Sequence, residues 1–205
     1  MPHTQRSQPF RGLTPLACVS ALVLGVALSG CKPVSFHGTT YEPPETAPVV
    51  NLKTATGADF SLANEKGSVV LLFFGYTHCP DICPTTLSDW ARVKAALGRD
   101  ASRVRFVFIS VDPARDDPAT LKSYVSRFDP DFIGATADTA TLARIEKSFH
   151  VESSREESKS ASGYDVTHPS QTFVVDRNGD LRILYSFGMA TNDVVSDIRQ
   201  LLRGA

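Results

Sequence analysis

The stretch FFGYTHCPDICP, residues 73–84, places two cysteines where an apolar segment gives way to a helical pattern. Residues 69–74 form an uninterrupted apolar run, which is typical of a central strand buried on both faces. From Pro84 to Leu97, apolar residues recur at helical spacing, and a glycine follows as a common helix terminator. The sequence therefore predicts a strand, a turn that carries Cys79 and Cys83, and then a helix.

The position of Cys79 and Cys83 predicts reactive thiols. They are separated by three residues, so in a helical turn they share one face. The free N–H groups and the dipole of a helix N-terminus favour a thiolate, and the pKa of such thiols can fall to roughly 3.5–7.5. Asp81, between them, is interpreted as an acid of the first helical turn, where the dipole favours it. The pair is suited to redox exchange or to binding a soft metal.

The segments around this turn predict an α/β fold. Strands are expected at residues 49–52, 60–62, 69–74, 104–111, 132–135, 172–176 and 181–187, and helices at 84–97, 118–128, 138–149 and 191–202. An Asn-Gly turn at 177–180 predicts a hairpin, whereas the polar, aperiodic residues 152–163 predict a surface excursion. This order indicates a mixed sheet with helices on both faces, preceded by an N-terminal strand pair.

The N-terminus has the pattern of an export signal. Residues 1–12 are polar and basic, and an apolar run extends from Leu13 to Leu28. It ends in Leu28-Ser29-Gly30-Cys31, which resembles a bacterial lipobox, so we expect a signal peptide at 1–30 and acylation of Cys31. The alternative is an uncleaved signal anchor. Either arrangement puts the protein on the periplasmic or extracytoplasmic face of the cell membrane.

The remaining chain divides into a linker and one domain. Residues 31–48 contain four prolines and few large apolar side chains, which predicts an extended, mobile linker. Residues 49–205 are the predicted domain, large enough to bury a core without a structural disulfide. Of the four cysteines, Cys18 lies in the signal and Cys31 at the lipobox, which leaves Cys79 and Cys83 for chemistry. The net charge of −1, with no Lys/Arg-rich block in the predicted domain, argues against nucleic acid as a partner.

A metal site needs a third ligand, and the histidines are the candidates. The chain has five, which are His3, His37, His78, His150 and His168. The first two lie in the predicted signal and linker, His78 is expected to point away from the shared cysteine face, and His150 is interpreted as a surface residue or helix cap. His168 precedes a predicted strand, and in a thioredoxin-like sheet that loop faces the cysteine turn. We therefore predict His168 as a ligand.

Three stretches carry a family resemblance. They are residues 75–84 around the cysteines, SVDPARDDP at 110–118, and YDVTH at 164–168 with residues 173–179 behind them. Across residues 49–203 the chain resembles the Sco/SenC family of copper-binding proteins. Asp117 departs from that family, which more often has Thr there, but it touches no predicted ligand.

This resemblance implies a thioredoxin-like fold and a copper site formed by Cys79, Cys83 and His168. It also implies a role in maturing the dinuclear copper centre of cytochrome c oxidase, with its copper-centre subunit as partner. Another copper donor or a thiol reductant would be further partners. Two thiolates and an imidazole suit Cu(I), with Cu(II) as a second state, whereas structural zinc would require a fourth ligand.

Two other functions compete with the copper chaperone. A thiol–disulfide oxidoreductase would need Cys79 and Cys83 as a redox-active pair but not His168, although the usual motif has two intervening residues rather than three. A thiol peroxidase is suggested by Cys83-Pro84-Thr85, but such enzymes need Thr or Ser three residues before the reactive cysteine, where this chain has Pro80. Asp112 and Asp116 are interpreted as turn or cap residues.

Overall fold

The computed structural model describes residues 1–4, 35–157 and 163–204. The predicted signal peptide beyond residue 4, Cys18 and Cys31 lie outside these residues, so lipidation stays a prediction. The chain divides into two compact units, Met1–Pro33 and Val34–Ala205, and the fold below is that of the second. Within the described segments, none of the helices has the length and apolar character needed to cross a bilayer.

The second unit is built from ten strands, four α-helices and two short 3-10 helices within the described residues. The strands are β1 Thr39–Thr46, β2 Asn51–Thr54, β3 Asp59–Ser61, β4 Val69–Gly75, β5 Val104–Ser110, β6 Ile133–Thr136, β7 Ser154–Glu157, β8 Tyr164–Thr167, β9 Thr172–Val175 and β10 Asp180–Tyr185. The helices are α1 Ile82–Leu97, α2 Pro118–Ser126, α3 Thr139–Ser148 and α4 Thr191–Arg203, with 3-10 helices at Leu62–Glu65 and Gly98–Arg103.

Eight strands form one mixed sheet in the order β1-β10-β9-β4-β5-β6-β2-β3. The parallel pairs are β4 with β5 and β5 with β6, while the other neighbours are antiparallel. The predicted central strand is confirmed because every residue of β4 is buried. One apolar cluster packs α1, α2 and α4 on one face of the sheet, and a second packs α3 on the other.

One expectation from the sequence is wrong, and another is incomplete. The predicted linker contains β1, which pairs with β10 along the edge of the sheet. Pro43 and Pro44 are tolerated there because proline cannot donate to a ladder and is confined to edge strands and bulges, and the register shifts between Thr40 and Glu45. The predicted surface excursion at 152–163 is exposed over residues 154–157, as expected. Those residues nevertheless form β7, which pairs with β8 as a separate two-stranded hairpin.

Candidate metal site

The cysteine turn lies between β4 and α1, at the carboxyl ends of the parallel strands. Cys83 is fully buried in the first turn of α1, and Cys79 is half-buried before it. The backbone N–H of Cys83 donates to Sγ of Cys79 at 3.4 Å, so a free amide at the helix start faces one sulfur. A Cβ at Gly75 would lie 2.6 Å from Sγ of Cys83, which explains why β4 ends in glycine. The sulfur of Cys83 therefore occupies the space that the side chain of any larger residue at position 75 would need.

A buried carboxylate fixes the start of this turn. Asp116 is fully buried, and its oxygens accept hydrogen bonds from Thr77 N at 2.9 Å and from Thr77 Oγ1 at 2.6 Å. It also accepts from Ser110 Oγ at 2.6 Å. Three donors around one carboxylate offset the cost of burying it. Asp116 thereby holds the backbone two residues before Cys79, a role beyond the turn or cap predicted from sequence.

His168 approaches the sulfurs from the opposite loop, directly after β8. Its Nε2 lies 3.5 Å from Sγ of Cys83, and its Nδ1 lies 3.0 Å from the carbonyl oxygen of Pro169. Because a carbonyl only accepts, Nδ1 carries a proton and Nε2 is the nitrogen available to a metal. The ring stands edge-on to Phe73 and Tyr76, with centroids 5.8 and 5.6 Å away. The expected approach of this loop to the cysteine turn is confirmed.

A second buried carboxylate, Asp112, holds the hairpin that leads to His168. It accepts hydrogen bonds from Tyr164 Oη at 2.8 Å and from Arg115 Nε at 2.5 Å, and Arg155 Nη2 lies 3.3 Å away. Arg115 also donates to the carbonyl of Tyr164 at 2.9 Å and lies 3.6 Å above the ring centroid of that tyrosine. The hairpin is thus fixed by charges and an aromatic ring, where sequence had suggested only a turn residue.

The two thiols differ strongly in acidity. A hydrogen bond from Cys83, helped by His168 and by the N–H groups of Cys83 and Asp81, lowers the pKa of Cys79 to about 4 despite its partial burial. Burial, together with the neighbouring sulfur of Cys79, raises the pKa of Cys83 far above its ordinary value. Burial lowers the pKa of His168, but its hydrogen bonds to Cys79 and Pro169 outweigh that effect and the net shift is upward. Without a metal, Cys79 is therefore the thiolate and Cys83 the thiol.

The donor set fits a soft metal ion. One ligand atom each from Cys79, Cys83 and His168 lies within 4.8 Å of the others. Two sulfurs and one imidazole nitrogen suit Cu(I) in a three-coordinate site. Within residues 1–4, 35–157 and 163–204, no other group of three such side chains has this spacing.

The other histidines lie apart from this group of ligand atoms. His78 is exposed, with Nδ1 3.1 Å from Thr77 Oγ1. His150 is exposed in a left-handed conformation after α3, as its assignment to the surface predicted. His37, expected in a mobile linker, instead bonds to Asp197 through Nδ1 at 2.8 Å. Asp81 is the N-cap residue of α1, where its side chain makes no capping bond.

Sequence reasoning missed the residues that position the ligands. Ser110, Thr77, Arg115 and Tyr164 all lie within the quoted motif stretches, but their partners were not evident from spacing. The sequence did contain a signal for them. Asp112, Arg115 and Asp116 closely follow the buried strand β5, at the end of the sheet where the cysteine turn lies. Polar residues at that edge converge on the same region as the site.

Comparisons with known proteins give one consistent family match. The SCO1/SenC family model matches residues 39–203. The SCO2-like protein of Rickettsia prowazekii is 30% identical over 177 residues, 82% of this chain and 86% of that protein. The SCO2-like protein of Rickettsia felis is 34% identical over 134 residues, 60% of this chain and 65% of that protein. This chain thus spans about two thirds of the Rickettsia felis protein.

A solved structure shares the architecture. The structure of Bradyrhizobium japonicum ScoI with copper bound superposes with a TM-score of 0.70 at 35% identity, covering 76% of this chain and 98% of that one. The predicted thioredoxin-like α/β fold, with its mixed sheet and flanking helices, is therefore confirmed.

Proposed function

Because the chain belongs to the SCO1/SenC family, we propose that it is a copper chaperone for the dinuclear copper centre of cytochrome c oxidase. The observation that carries this proposal is the convergence of Cys79, Cys83 and His168 within 4.8 Å. The copper-bound ScoI of Bradyrhizobium japonicum supports the choice of metal. The resemblance of the three motif stretches to the family supports the copper-centre subunit of the oxidase as partner.

Each residue of the site has a distinct role in holding copper. Cys79 supplies a thiolate at neutral pH, because its pKa is about 4. Cys83 gives up a proton when the metal binds, since only the thiolate is a ligand and burial raises its pKa. His168 supplies Nε2, and Pro169 fixes the ring by accepting from Nδ1. A bound Cu(I) provides an exchangeable ion for an acceptor with similar sulfur and nitrogen ligands.

The redox state of Cys79 and Cys83 determines whether the site can bind copper. When an external two-electron oxidant converts Cys79 and Cys83 to a disulfide, that oxidant takes up two electrons, the remaining thiol proton is released, and both sulfurs become poor ligands. Copper loading therefore requires the reduced pair, and a thiol reductant restores it. The same chemistry underlies the second candidate, a thiol–disulfide oxidoreductase that keeps the oxidase cysteines reduced. The low pKa of Cys79 beside the buried Cys83 favours that activity.

Replacing His168 distinguishes the copper chaperone from the thiol–disulfide oxidoreductase. A strain that lacks the native protein is supplied with wild type, His168→Ala or His150→Ala, and the oxidase is assayed for activity and bound copper. A chaperone loses most of both with His168→Ala, because the imidazole is a ligand, and retains both with His150→Ala, whose side chain is exposed after α3. If His168→Ala supports full oxidase copper content, the oxidoreductase function replaces the chaperone.

We also propose that Cys31 is lipidated and anchors the protein outside the cytoplasm. The support is the sequence Leu28-Ser29-Gly30-Cys31 after an apolar run. In cells fed a palmitate analogue, Cys31→Ser should abolish labelling, whereas Cys18→Ser should leave it unchanged because that cysteine is removed with the signal. Labelling that survives Cys31→Ser would reject the anchor.

A further inference from the structure

The segment from Ser35 to Gly38 is bound to α4 rather than free. Gln200 Nε2 donates to the carbonyl of Ser35 at 3.1 Å. Asp197, fully buried in α4, accepts from the backbone N–H groups of His37 at 2.9 Å and Gly38 at 3.2 Å. Gly38 is required here, since a Cβ would lie 2.4 Å from Ile183. The described chain therefore joins the domain at Ser35, beside the last turn of α4.

The direction of this segment points back to one end of the domain. From Ser35 to His37 the chain passes from Gln200 to Asp197, towards the start of α4. Between His37 and Ser35 the chain therefore runs towards the C-terminal end of that helix. Cys31 is four residues before Ser35, and four residues span at most about 14 Å. A lipid on Cys31 would keep this end of the domain within that distance of the membrane surface.

This end of the domain is basic. It lies where β4 and β5 begin, at the paired residues Val69 and Val104, whereas the metal site follows their other ends. Five cations, which we name the basic end, are grouped there: Lys66, Arg99, Arg103, Arg177 and Arg203. None of them forms an ion pair within the described part of the chain.

Hydrogen bonds connect the segments that carry three of these cations. Arg103 and Arg177 both donate to the carbonyl of Leu202, at 3.0 and 3.2 Å, near the C-terminus of α4. The backbone N–H of Gly67, next to Lys66, donates to the carbonyl of Arg177 at 2.8 Å.

The neighbouring acids do not cancel this charge. Glu65 is paired with Arg105 at 3.1 Å, and Asp100 with Arg199 at 3.6 Å. Asp176 accepts from three backbone N–H groups of the hairpin turn and keeps its charge. Asp180 and Glu45, which lies opposite Leu181 on β1, add two further negative charges close by, so three acids face the five cations of the basic end. The surface therefore carries a net positive charge.

We propose that the basic end rests on anionic phospholipid headgroups and that the metal site consequently faces away from the membrane. This inference rests on the proposed lipidation of Cys31. A basic patch adds electrostatic attraction to anionic lipids beside a lipid anchor. The short connection brings the basic end within reach of the anionic surface, where screening is incomplete over roughly 10 Å. Copper and partner proteins then meet the site from the aqueous side.

The test measures the accessibility of Lys66 in the full mature chain, purified from cell membranes and reconstituted into vesicles. One set contains phosphatidylcholine alone, and the other contains about 30% phosphatidylglycerol. A membrane-impermeant amine-acylating reagent labels exposed lysines, and mass spectrometry gives the rate at each one. Lys147, on α3 across the sheet from α4, is the internal reference.

Lys66 should be acylated at least about fivefold more slowly on the anionic vesicles, and roughly 0.5 M salt should remove the difference. Arg99→Gln with Arg203→Gln should lose most of this protection, whereas Arg92→Gln with Arg144→Gln should keep it. The rate at Lys147 should be the same on both vesicles.

Two outcomes would overturn the inference, and they are distinguishable. A chain whose mass shows lipid on Cys31, but whose Lys66 reacts equally fast on both vesicles, rejects the orientation and leaves the anchor intact. A chain without lipid on Cys31 rejects the anchor and the orientation together. Neither result bears on copper binding by the cysteines and His168.

Discussion

The two halves of the metal site are held in different ways. The cysteine turn is bounded by the buried strand β4 and the amphipathic helix α1, so apolar packing determines its course. The histidine follows a two-stranded hairpin whose β7 is exposed along its whole length. Buried charge and an aromatic contact hold that hairpin, through Asp112, Arg115 and Tyr164. Apolar packing in the core therefore fixes the cysteine turn, whereas a few polar contacts fix the hairpin that precedes His168.

Both halves nevertheless meet in the same short segment after β5. Asp116 binds the cysteine turn through Thr77, and Asp112 binds the hairpin through Tyr164. Ser110 links them, since its Oγ donates to Asp116 and accepts from the N–H of Asp112. This segment therefore sets the distance between the sulfurs and the imidazole, although it supplies none of the predicted ligands.

The largest expected effect comes from removing the carboxylate of Asp116, which holds the cysteine turn. Asp116→Ala leaves Ser110 and two donors of Thr77 without their buried partner, so the free energy of unfolding should fall by about 3 kcal/mol. Urea denaturation of the purified protein measures this, and copper affinity should fall with it. Asp117→Ala is the control, since it removes only the N-cap of α2 and should cost about 1 kcal/mol without changing copper affinity. An equal loss of unfolding free energy in the two variants would show that Asp116 does not hold the cysteine turn.

The next largest effect separates the two thiols within the turn. At pH 6, Cys79 should be a thiolate because its pKa is about 4, whereas Cys83 should remain protonated because burial raises its pKa. The reduced, metal-free protein should therefore be alkylated by iodoacetamide at least roughly tenfold faster at Cys79 than at Cys83. Peptide mass spectrometry over time gives both rates. Two equal rates that rise together near pH 8.5 would reject the asymmetry.

The smallest effect concerns the hairpin alone. Tyr164→Phe removes the hydroxyl bond to Asp112 but retains the ring beneath Arg115, so the expected loss of unfolding free energy is about 1 kcal/mol. Copper affinity should fall a few-fold because His168 is held less firmly, while the alkylation rates of the two cysteines should not change. Tyr41→Phe, on the edge strand β1, should alter none of these. Altered cysteine reactivity in Tyr164→Phe would show that the two halves are not independently held.

The same contrast explains what the sequence could predict. The apolar run of β4 and the helical spacing of α1 report burial directly, so the strand, the turn and the two cysteines were predictable. The hairpin was not, because β7 has no buried face to impose an alternating pattern. Strand β1 was missed because its prolines are typical of linkers, and only its pairing with β10 makes it a strand. Asp112 and Asp116 were named, but their partners come from distant parts of the chain.

We propose that copper is held by two sulfurs and one imidazole together. The most direct test titrates the reduced protein with Cu(I) against a colorimetric chelator, using wild type, Cys79→Ala, Cys83→Ala, His168→Ala and, as control, His150→Ala. Either cysteine variant should lose nearly all bound copper, because one thiolate and one imidazole are too few ligands. His168→Ala should keep a dithiol but bind roughly tenfold or more weakly, and His150→Ala should match wild type. Wild-type affinity in His168→Ala would show that the imidazole is not a copper ligand.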